Sequence, residues 1–430
     1  MSKALTPRTL VIKGGTVVDA TGERAADVVI ENSVVKEIGK NLRGDAILDA
    51  SGCIVSPGFV DLHTHMREPG REDCETIATA SRAGARGGYT ALVAMPNTDP
   101  AQDTVAVVEF VREQGRRAQL VDVLPSGCIT VSREGLVLAP MAELAKVGVR
   151  IFTDDGNGVQ DPVLMRRAME YAKGLGITLA QHCEVASLTV GAAMHESCCS
   201  SDMGVPGWPA LAEELMVARD IDLVRLTGAR MHFLHLSTAR SVELVRCAKA
   251  EGLPITAEVT PHHLSLTHEL LYGFDPLYKV NPPLRTMNDV LALKAGVADG
   301  TIDAVATDHA PHARRDKELP LDQAPPGMLG LETALGVVLA NLDLPMMRVV
   351  ALMSQRPAQI ANATMHGNDI TVSMRANLCV FDPQIDWQVD PKQLASKSTN
   401  TPFVGRRLRG RVRHTIFNGD AVVIDGEAQR

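Results

Sequence analysis

The chain has 430 residues, 45% of them hydrophobic, and a mean hydropathy of +0.02, values typical of a globular protein with a sizeable core. No apolar run approaches the roughly 18 residues that a membrane-spanning helix needs, so we expect no membrane association. The formal net charge of −8 opposes a general nucleic-acid-binding surface, and no nucleic-acid partner is expected.

The N-terminal region is predicted to be a small β unit. Its first residues, MSKALTPRTLVIKGG, lack the apolar segment of a secretion signal, so we expect a cytoplasmic protein. Residues 8–56 alternate short apolar runs with turn signals at Gly14–Gly15 and Asn32–Ser33. This pattern is typical of short strands joined by tight turns.

From residue 59 to about residue 345, short apolar runs alternate with amphipathic segments. Helices are indicated at 103–117 and 161–174, with Asp103 and Asp161 as their N-caps. Eight strands with intervening helices predict an α/β fold, a TIM-like (β/α)8 barrel. The predicted strands are residues 59–63, 90–95, 120–125, 147–152, 177–182, 231–236, 255–260 and 303–308.

The C-terminal region returns to β character at 377–383 and 413–426, where Asn418–Gly419 indicates a hairpin. The simplest arrangement pairs both chain ends in one small β-sandwich domain beside the barrel. The predicted domains are residues 1–56 with 366–430, and residues 57–365.

Polar residues follow most of the predicted strands. His63 and His65 end the first strand, and residues i and i+2 of a strand project from the same face. In a (β/α)8 barrel the carboxyl ends of all strands meet at one mouth, so residues distant in sequence become neighbours. The later strands are followed by Asn97, Asp155, His182, His235, Asn281 and Asp308.

Six of these residues offer nitrogen and oxygen donors without cysteine, a set that suits zinc, with cobalt or manganese as possible substitutes. Six ligands exceed what one tetrahedral zinc requires, so we expect two ions. Because paired ions lower the pKa of a shared water towards about 7, the predicted chemistry is hydrolysis. The expected ligands are His63, His65, Asp155, His182, His235 and Asp308.

Seven short motifs lie between residues 57 and 312. They are PGFVDLHTHMREPG (57–70), AMPNTDP (94–100), FTDDG (152–156), AQHCE (180–184), HLST (235–238), NPPLR (281–285) and ATDHAPH (306–312). Together they resemble the dihydroorotases of the amidohydrolase superfamily, and HxHxREPG with TDHAPH is the most specific part. The resemblance implies interconversion of N-carbamoyl-L-aspartate and L-dihydroorotate, the third step of pyrimidine synthesis.

The resemblance also implies how the metal ligands divide. His63, His65 and Asp308 would hold the first zinc, and His182 and His235 the second. The bridge between the ions would be Asp155, with the adjacent Asp154 as the alternative. Many relatives bridge through a carboxylated lysine on strand four, but here the nearest lysine, Lys146, lies at the wrong end of that strand. The chain therefore resembles the branch that bridges through aspartate.

The same resemblance assigns the substrate contacts. Arg67 would grip the α-carboxylate, helped by Asn97 and His312 and with His65 nearby. Asp308 would move the proton between the attacking hydroxide and the ring nitrogen. The ring amide edge would contact Asn281, Pro326 and Gly327, in a stretch with proline where many relatives have phenylalanine.

Two alternatives remain open from the sequence. The first is another cyclic amidase, such as a hydantoinase or allantoinase, against which REPG and the missing strand-four lysine argue. The second is a non-catalytic scaffold, for example for aspartate carbamoyltransferase, although such proteins usually lose ligand histidines. Aspartate carbamoyltransferase is also a possible partner of a catalytic subunit, and we expect a homo-oligomer.

Overall fold

A computed structural model describes residues 9–430, so the first eight residues of the predicted β unit lie outside the described residues. Asn32 and Ser33 form a turn with positive φ values of 53° and 66°, as their turn signal predicts. The strands of this region are β1 (Thr9–Lys13), β2 (Thr16–Asp19), β3 (Gly22–Ala25), β4 (Asp27–Glu31), β5 (Val34–Gly39), β6 (Ala46–Asp49) and β7 (Ile54–Pro57). Four of them form a sheet in the order β5-β4-β1-β6.

All eight strands predicted between residues 59 and 308 are present, although most are shorter than predicted. They are β8 (Phe59–Thr64), β9 (Tyr89–Ala94), β10 (Asp122–Pro125), β11 (Ile151–Phe152), β12 (Thr178–Gln181), β15 (Met231–Phe233), β16 (Ile255–Val259) and β17 (Ala304–Val305). A short parallel pair, β13 (Met194–His195) and β14 (Gly207–Trp208), is inserted between β12 and β15.

The eight strands pair only in parallel, in two runs, β8-β9-β10 and β11-β12-β15-β16-β17. Isolated parallel bridges join the ends of these runs, at Gly127 with Phe152 and at Thr64 with His309. The α/β class predicted from the sequence is confirmed, and the carboxyl ends of these strands lie on one side of the molecule.

Strand four shrinks to two residues because its predicted start is not extended. Helix residues reach Lys146, and Gly148 follows with a φ of +97°. The eighth strand, β17, ends early because Thr307, two residues after it, donates hydrogen bonds to the side chain of Asp61. The buried carboxylate of Asp61 accepts these hydrogen bonds from the amide and the hydroxyl of Thr307, each at 2.7 Å. This contact also ties β17 to β8.

Helices connect the strands as the amphipathic pattern predicts. The longer ones are α1 (Ile77–Arg86), α2 (Val105–Ala118), α4 (Pro162–Leu175), α6 (Leu211–Thr227), α7 (Ala239–Ala250), α8 (Met287–Asp299) and α10 (Ala334–Asn341). The shorter ones are α3 (Met141–Lys146), α5 (Cys198–Met203), α9 (Arg314–Lys317), α11 (Met346–Val350) and α12 (Arg356–Ala361). Within residues 9–430, no helix is both long and apolar enough to cross a membrane.

One of the two predicted helix caps is wrong. Asp161 caps α4 as expected, since its carboxylate accepts from the amide of Val163 at 2.7 Å. Asp103 does not cap α2, which begins after Thr104. The Asp103 carboxylate instead accepts from the amide of Ser132 at 2.9 Å, because the loop after β10 folds back against it.

The C-terminal region contributes β18 (Leu378–Gln388), β19 (Arg407–Phe417), β20 (Asp420–Ile424) and β21 (Glu427–Ala428). They form one sheet with the N-terminal strands, in the order β21-β20-β19-β18-β7-β2-β3. Strands from both ends of the described chain therefore pair in a single sheet. Asn418 and Gly419 make the predicted hairpin turn with φ values of 52° and 86°.

A buried carboxylate on α6 makes the stability of this fold depend on pH. Asp220 accepts from Nε2 of Gln181 at 2.9 Å and from Nε of Arg219 at 2.8 Å. Burial is the main influence on this carboxyl group, and it raises its pKa to about 6. The folded protein thus holds this proton to a higher pH than the unfolded chain, so stability is lost as the pH rises from about 4 to about 6.

We expect wild type to lose stability relative to Asp220→Asn as the pH rises from about 4 to about 6. The difference in unfolding free energy should change by at most about 3 kcal/mol, since one pKa unit corresponds to about 1.4 kcal/mol. Urea denaturation at several pH values measures this change. A pH-independent difference between the two proteins would contradict the raised pKa.

Candidate metal centre

The six predicted ligands meet at the carboxyl ends of the parallel strands. Five of the eight strands supply them: two lie in or directly after β8, and the others follow β11, β12, β15 and β17, so residues up to 245 positions apart in the sequence lie close together. All six are buried, and the most accessible, His65, is 6% exposed. They are His63, His65, Asp155, His182, His235 and Asp308.

The carboxylate of Asp155 lies between two pairs of imidazoles. Its Oδ2 is 3.3 Å from Nε2 of His63 and 3.5 Å from Nε2 of His65. Its Oδ1 is 3.3 Å from Nδ1 of His182 and 3.5 Å from Nε2 of His235. Each oxygen therefore faces a different pair of histidines.

Asp308 completes the first of these groups. Its Oδ1 lies 3.0 Å from Nε2 of His65 and 3.5 Å from Nε2 of His63. Two overlapping sets of donor atoms that could hold a metal ion result, His63 with His65 and Asp308, and His63 with Asp155 and His235. The first set is the one expected for the first zinc, and the second joins Asp155, the expected bridge, to one histidine expected at each ion.

The orientation of the imidazoles fits a bound cation. Nδ1 of His63 donates to Glu258 at 2.9 Å, Nδ1 of His65 donates to Asn97 at 3.0 Å, and Nε2 of His182 donates to Glu184 at 3.0 Å. In a neutral imidazole, the second nitrogen then presents a lone pair towards the cluster. Nε2 of His63 is buried and has no hydrogen-bond partner within residues 9–430.

The charges in the cluster also fit a bound cation. Burial alone would lower the pKa of His182, but hydrogen bonds and charges from Asp155 and Glu184 raise it to about 10. Burial would raise the pKa of Asp155, but the imidazoles of His63, His182 and His235 lower it well below its usual range. A site that holds protons this strongly between carboxylates is a site where a metal ion can replace them.

The alternative between the two adjacent aspartates is decided by where their side chains lie. The Asp154 carboxylate turns away from the imidazoles and accepts from the amides of Ile129 at 2.8 Å and Thr130 at 3.0 Å, and from the Thr130 hydroxyl. It holds the loop after β10. Only Asp155 of the pair reaches the cluster.

A carboxylate that the sequence patterns do not identify supports the cluster through a hydrogen bond to His63. Glu258, on β16, accepts from Nδ1 of His63 and, at 3.0 Å, from Nε2 of His232. His232 is itself buried, and among the described residues Glu258 is the only carboxylate that it contacts. The available signal was a charged residue inside the apolar strand ITAEV, where a glutamate needs a buried partner.

A cavity of about 240 Å³ opens onto the cluster. The predicted substrate contacts that line it are His65, Arg67, Asn97, Asn281, His312, Pro326 and Gly327. Nε of Arg67 donates to the carbonyl of Pro311 at 3.0 Å, which directs the guanidinium along this wall. Burial lowers the pKa of Arg67 to about 10, so it stays charged at neutral pH.

Three residues of the site have backbone conformations that L-amino acids rarely adopt. Arg67, His235 and Asp308 have φ values of 61°, 30° and 47°. Such conformations cost about 1 to 3 kcal/mol each and persist where the surrounding structure enforces them. The contacts around these three residues therefore enforce their backbone conformations.

The cavity also contains two residues that the motifs do not identify, Arg133 and Asn157. Nη1 of Arg133 donates to the backbone carbonyl of Asp155 at 2.9 Å, and Asn157 donates to the carbonyl of Arg133 at the same distance. Arg133 lies in a loop without a recognisable pattern, so no local feature of the chain marks it as a site residue.

His309 lies outside the cluster, although it follows Asp308 directly. Its Nδ1 accepts from the amide of Gly330 at 3.2 Å, and its Nε2 lies 3.4 Å from Glu75. These contacts give His309 a structural position in the core.

Comparisons with known proteins agree with this geometry. Residues 52–241 match the family model described as Dihydro-orotase-like. The chain is 48% identical to the dihydroorotase of Streptomyces coelicolor over 99% of this chain and 100% of the relative. It is 46% identical to the dihydroorotase of Mycobacterium tuberculosis over 94% of this chain and 96% of the relative.

Among solved structures, the fold is similar to that of the L-hydantoinase from Arthrobacter aurescens. The TM-score is 0.86 at 24% identity, covering 98% of this chain and 97% of that one. The dihydropyrimidinase from Brevibacillus agri gives a TM-score of 0.85 at 23% identity, covering 98% and 96%. At this identity the likeness concerns the fold alone.

We expect Glu258→Gln to weaken metal binding by about 10- to 100-fold, because the amide no longer orients His63 as a charged acceptor. Metal retained after dialysis against graded chelator concentrations measures the change. Glu251→Gln, at an exposed ion pair with Arg225, is the matched control and should bind metal as wild type does. Equal metal retention in all three proteins would show that Glu258 does not support the centre.

Proposed function

The chain belongs to the dihydroorotase family, and we propose that it interconverts N-carbamoyl-L-aspartate and L-dihydroorotate at the cluster around Asp155. This places it among the hydrolases of cyclic amide bonds and in pyrimidine biosynthesis. The family membership rests on 42–48% identity to dihydroorotases over nearly the whole chain. The site assignment rests on one observation, the Asp155 carboxylate with each oxygen facing a different histidine pair.

The architecture proposed for this site is a closed (β/α)8 barrel of residues 57–365. The two parallel strand runs and the bridges that join their ends support closure. A composite β-sandwich domain would comprise residues 1–56 and 366–430, supported by the sheet that β18 and β19 share with β7 and β2. In such a barrel, catalytic residues gather at the carboxyl ends of the strands.

Two zinc ions are the proposed cofactors. His63, His65 and Asp308 would hold one, His182 and His235 the other, and Asp155 would contact both. When bound, the ions supply Lewis acidity for the ring carbonyl and lower the pKa of a nearby water. The nitrogen and oxygen donor set and the inward lone pairs of the imidazoles support this assignment.

The substrate carboxylate is assigned to Arg67. Its guanidinium lies on the cavity wall, and its Nη2 is 3.3 Å from Nε2 of His312. A planar guanidinium can donate two parallel hydrogen bonds to a carboxylate, and Asn97 and His312 would add further donors. Asn281 and the backbone of Pro326–Gly327 would contact the ring amide edge.

Asp308 is assigned the proton transfer. In hydrolysis the ring carbon–nitrogen bond breaks, a water oxygen adds to the carbonyl carbon, and a proton reaches the departing nitrogen. Asp308 would take that proton from the attacking water and deliver it, first as general base and then as general acid. Ring closure reverses these steps and consumes a proton, so acidic conditions favour dihydroorotate.

The two alternative functions, another cyclic amidase and a non-catalytic scaffold, have less support from this structure than the dihydroorotase function. Hydantoinases share the fold, but the contact with both histidine pairs is made here by Asp155 rather than by a strand-four lysine. A scaffold without activity does not need the buried set of six ligands that this chain keeps. A cytoplasmic location, a homo-oligomer and an aspartate carbamoyltransferase partner stay predictions.

The direct test is turnover measured together with metal content. Purified protein should hydrolyse L-dihydroorotate in proportion to its zinc content, lose activity in chelator and regain it with zinc. Hydantoin and allantoin assayed beside it should be turned over far more slowly. Preference for either compound over dihydroorotate would reject the proposal.

Asp308→Asn should fold normally and lose turnover by at least about 100-fold, because an amide cannot move the proton. The assay is dihydroorotate hydrolysis under saturating zinc, with the circular dichroism spectrum as the check on folding. Near-normal turnover in this variant would refute the role of Asp308.

Arg67→Ala should raise KM for N-carbamoyl-L-aspartate by about 10- to 100-fold, since a charge-assisted hydrogen-bonding pair is lost. Its zinc content should stay near that of wild type. Arg71→Ala, four residues further on and about half exposed, serves as the control. Zinc loss in step with activity loss would make Arg67 a structural residue instead.

A further inference from the structure

The loop that carries Pro326 and Gly327 has no helix or strand of its own to fix it beside the cavity. Gly327 has a φ of +142°, and a Cβ there would lie 2.7 Å from Nε2 of His312. That nitrogen donates to the carbonyl of Pro326 at 2.8 Å. Because His312 and the loop are this close, a small movement of the loop would displace His312 as well.

Lys317, at the end of α9, holds this loop from one side. Its side chain is buried, and Nζ donates to the carbonyls of Pro325 at 2.8 Å, Pro276 at 2.9 Å and Lys279 at 3.3 Å. Three donors thus meet three acceptors.

The lysine therefore joins two segments that both reach the cavity. One runs from Pro276 to Lys279 and leads into Asn281, and the other is the loop of Pro325 to Gly327. The two segments also contact each other directly, through the amide of Gly327 and the carbonyl of Lys279 at 2.9 Å. Nζ of Lys279 also donates to the carbonyl of Leu321 at 2.6 Å, so a second lysine connects the first segment to the residues that precede the loop.

Asn400 holds the same loop from the other side. Its Oδ1 accepts from the amide of His312 at 3.1 Å, and its Nδ2 donates to the carbonyls of Ala310 at 3.0 Å and Gly327 at 3.1 Å. Asn400 is 3% exposed and belongs to the segment between β18 and β19. The C-terminal part of the chain thus reaches the wall of the cavity and ties its two loops together.

We propose that Lys317 and Asn400 are positioning residues for the carboxylate-binding side of the cavity. Neither side chain lines the cavity, and each acts through backbone groups of the loops that carry His312 and Gly327. This inference rests on the proposed function, because it takes Arg67, His312 and the Pro326–Gly327 backbone as the substrate contacts. Loss of either residue should weaken substrate binding and spare the metal centre.

The test compares Lys317→Met and Asn400→Asp, which keep the size of each side chain and remove its donors. Each should raise KM for N-carbamoyl-L-aspartate and for dihydroorotate by about 10-fold, because buried carbonyls lose their partners. The value of kcat should change less than about threefold, and zinc content should not change. The double variant should raise KM by less than the product of the single effects, since both residues hold one loop.

Matched controls separate this role from general destabilisation. Lys249→Met removes a lysine that pairs with Asp303 and binds the Gly300 carbonyl, far from the cavity. Asn368→Asp removes a donor to the Thr364 carbonyl. Both should keep the wild-type KM. Hydrogen exchange of residues 320–328 should accelerate in Lys317→Met and Asn400→Asp and in neither control.

Each outcome bears on one proposal. If wild type does not turn over dihydroorotate, the proposed function fails, and only the exchange result then tests whether the loop is held. If wild type is active but KM and loop exchange are unchanged in both variants, the inference is overturned. It is also overturned if kcat and zinc content fall in parallel with KM, because the residues would then support the whole fold.

Discussion

A carboxylate buried away from water costs several kcal/mol unless positive charge or hydrogen-bond donors surround it, and Asp155 is 2% exposed. The four imidazoles around it supply that environment, two for each oxygen. The stability of the cluster therefore depends on the carboxylate and the four imidazoles together. Removing one imidazole leaves a buried carboxylate oxygen with one partner instead of two, and removing the carboxylate leaves four imidazoles facing one another.

A second set of acids keeps this arrangement in place. Glu258 orients His63, Glu184 orients His182, and Asp154 holds the loop after β10 in a position that leaves the cluster to Asp155. Asp61 joins the first and last of the eight strands through Thr307. Buried polar groups of this kind stabilise only when all their partners are present, so they specify one arrangement of the strand ends.

The cavity beside the cluster is lined by residues from two kinds of structural element. On one side of the cavity the lining residues lie on or next to strands, whereas His312 and Gly327, on its proposed substrate side, lie in loops. The similarity to the L-hydantoinase at 24% identity extends over 98% of this chain and concerns the fold alone. In enzymes of one fold, the loops at the strand ends decide which substrate is accepted. The loops held by Lys317 and Asn400 are such a region here.

The sequence by itself determined the α/β class, the eight parallel strands and the six residues that meet at their ends. These features follow from local patterns: the alternation of apolar and polar runs, and histidine or aspartate directly after a strand. The tertiary structure alone decided which of Asp154 and Asp155 faces the imidazoles, and that Asp103 does not cap α2. It also decided that Glu258, Lys317 and Asn400 support the site. Each of these depends on a partner at least 20 residues away, and a local pattern does not specify which distant group a side chain will meet when the chain is folded.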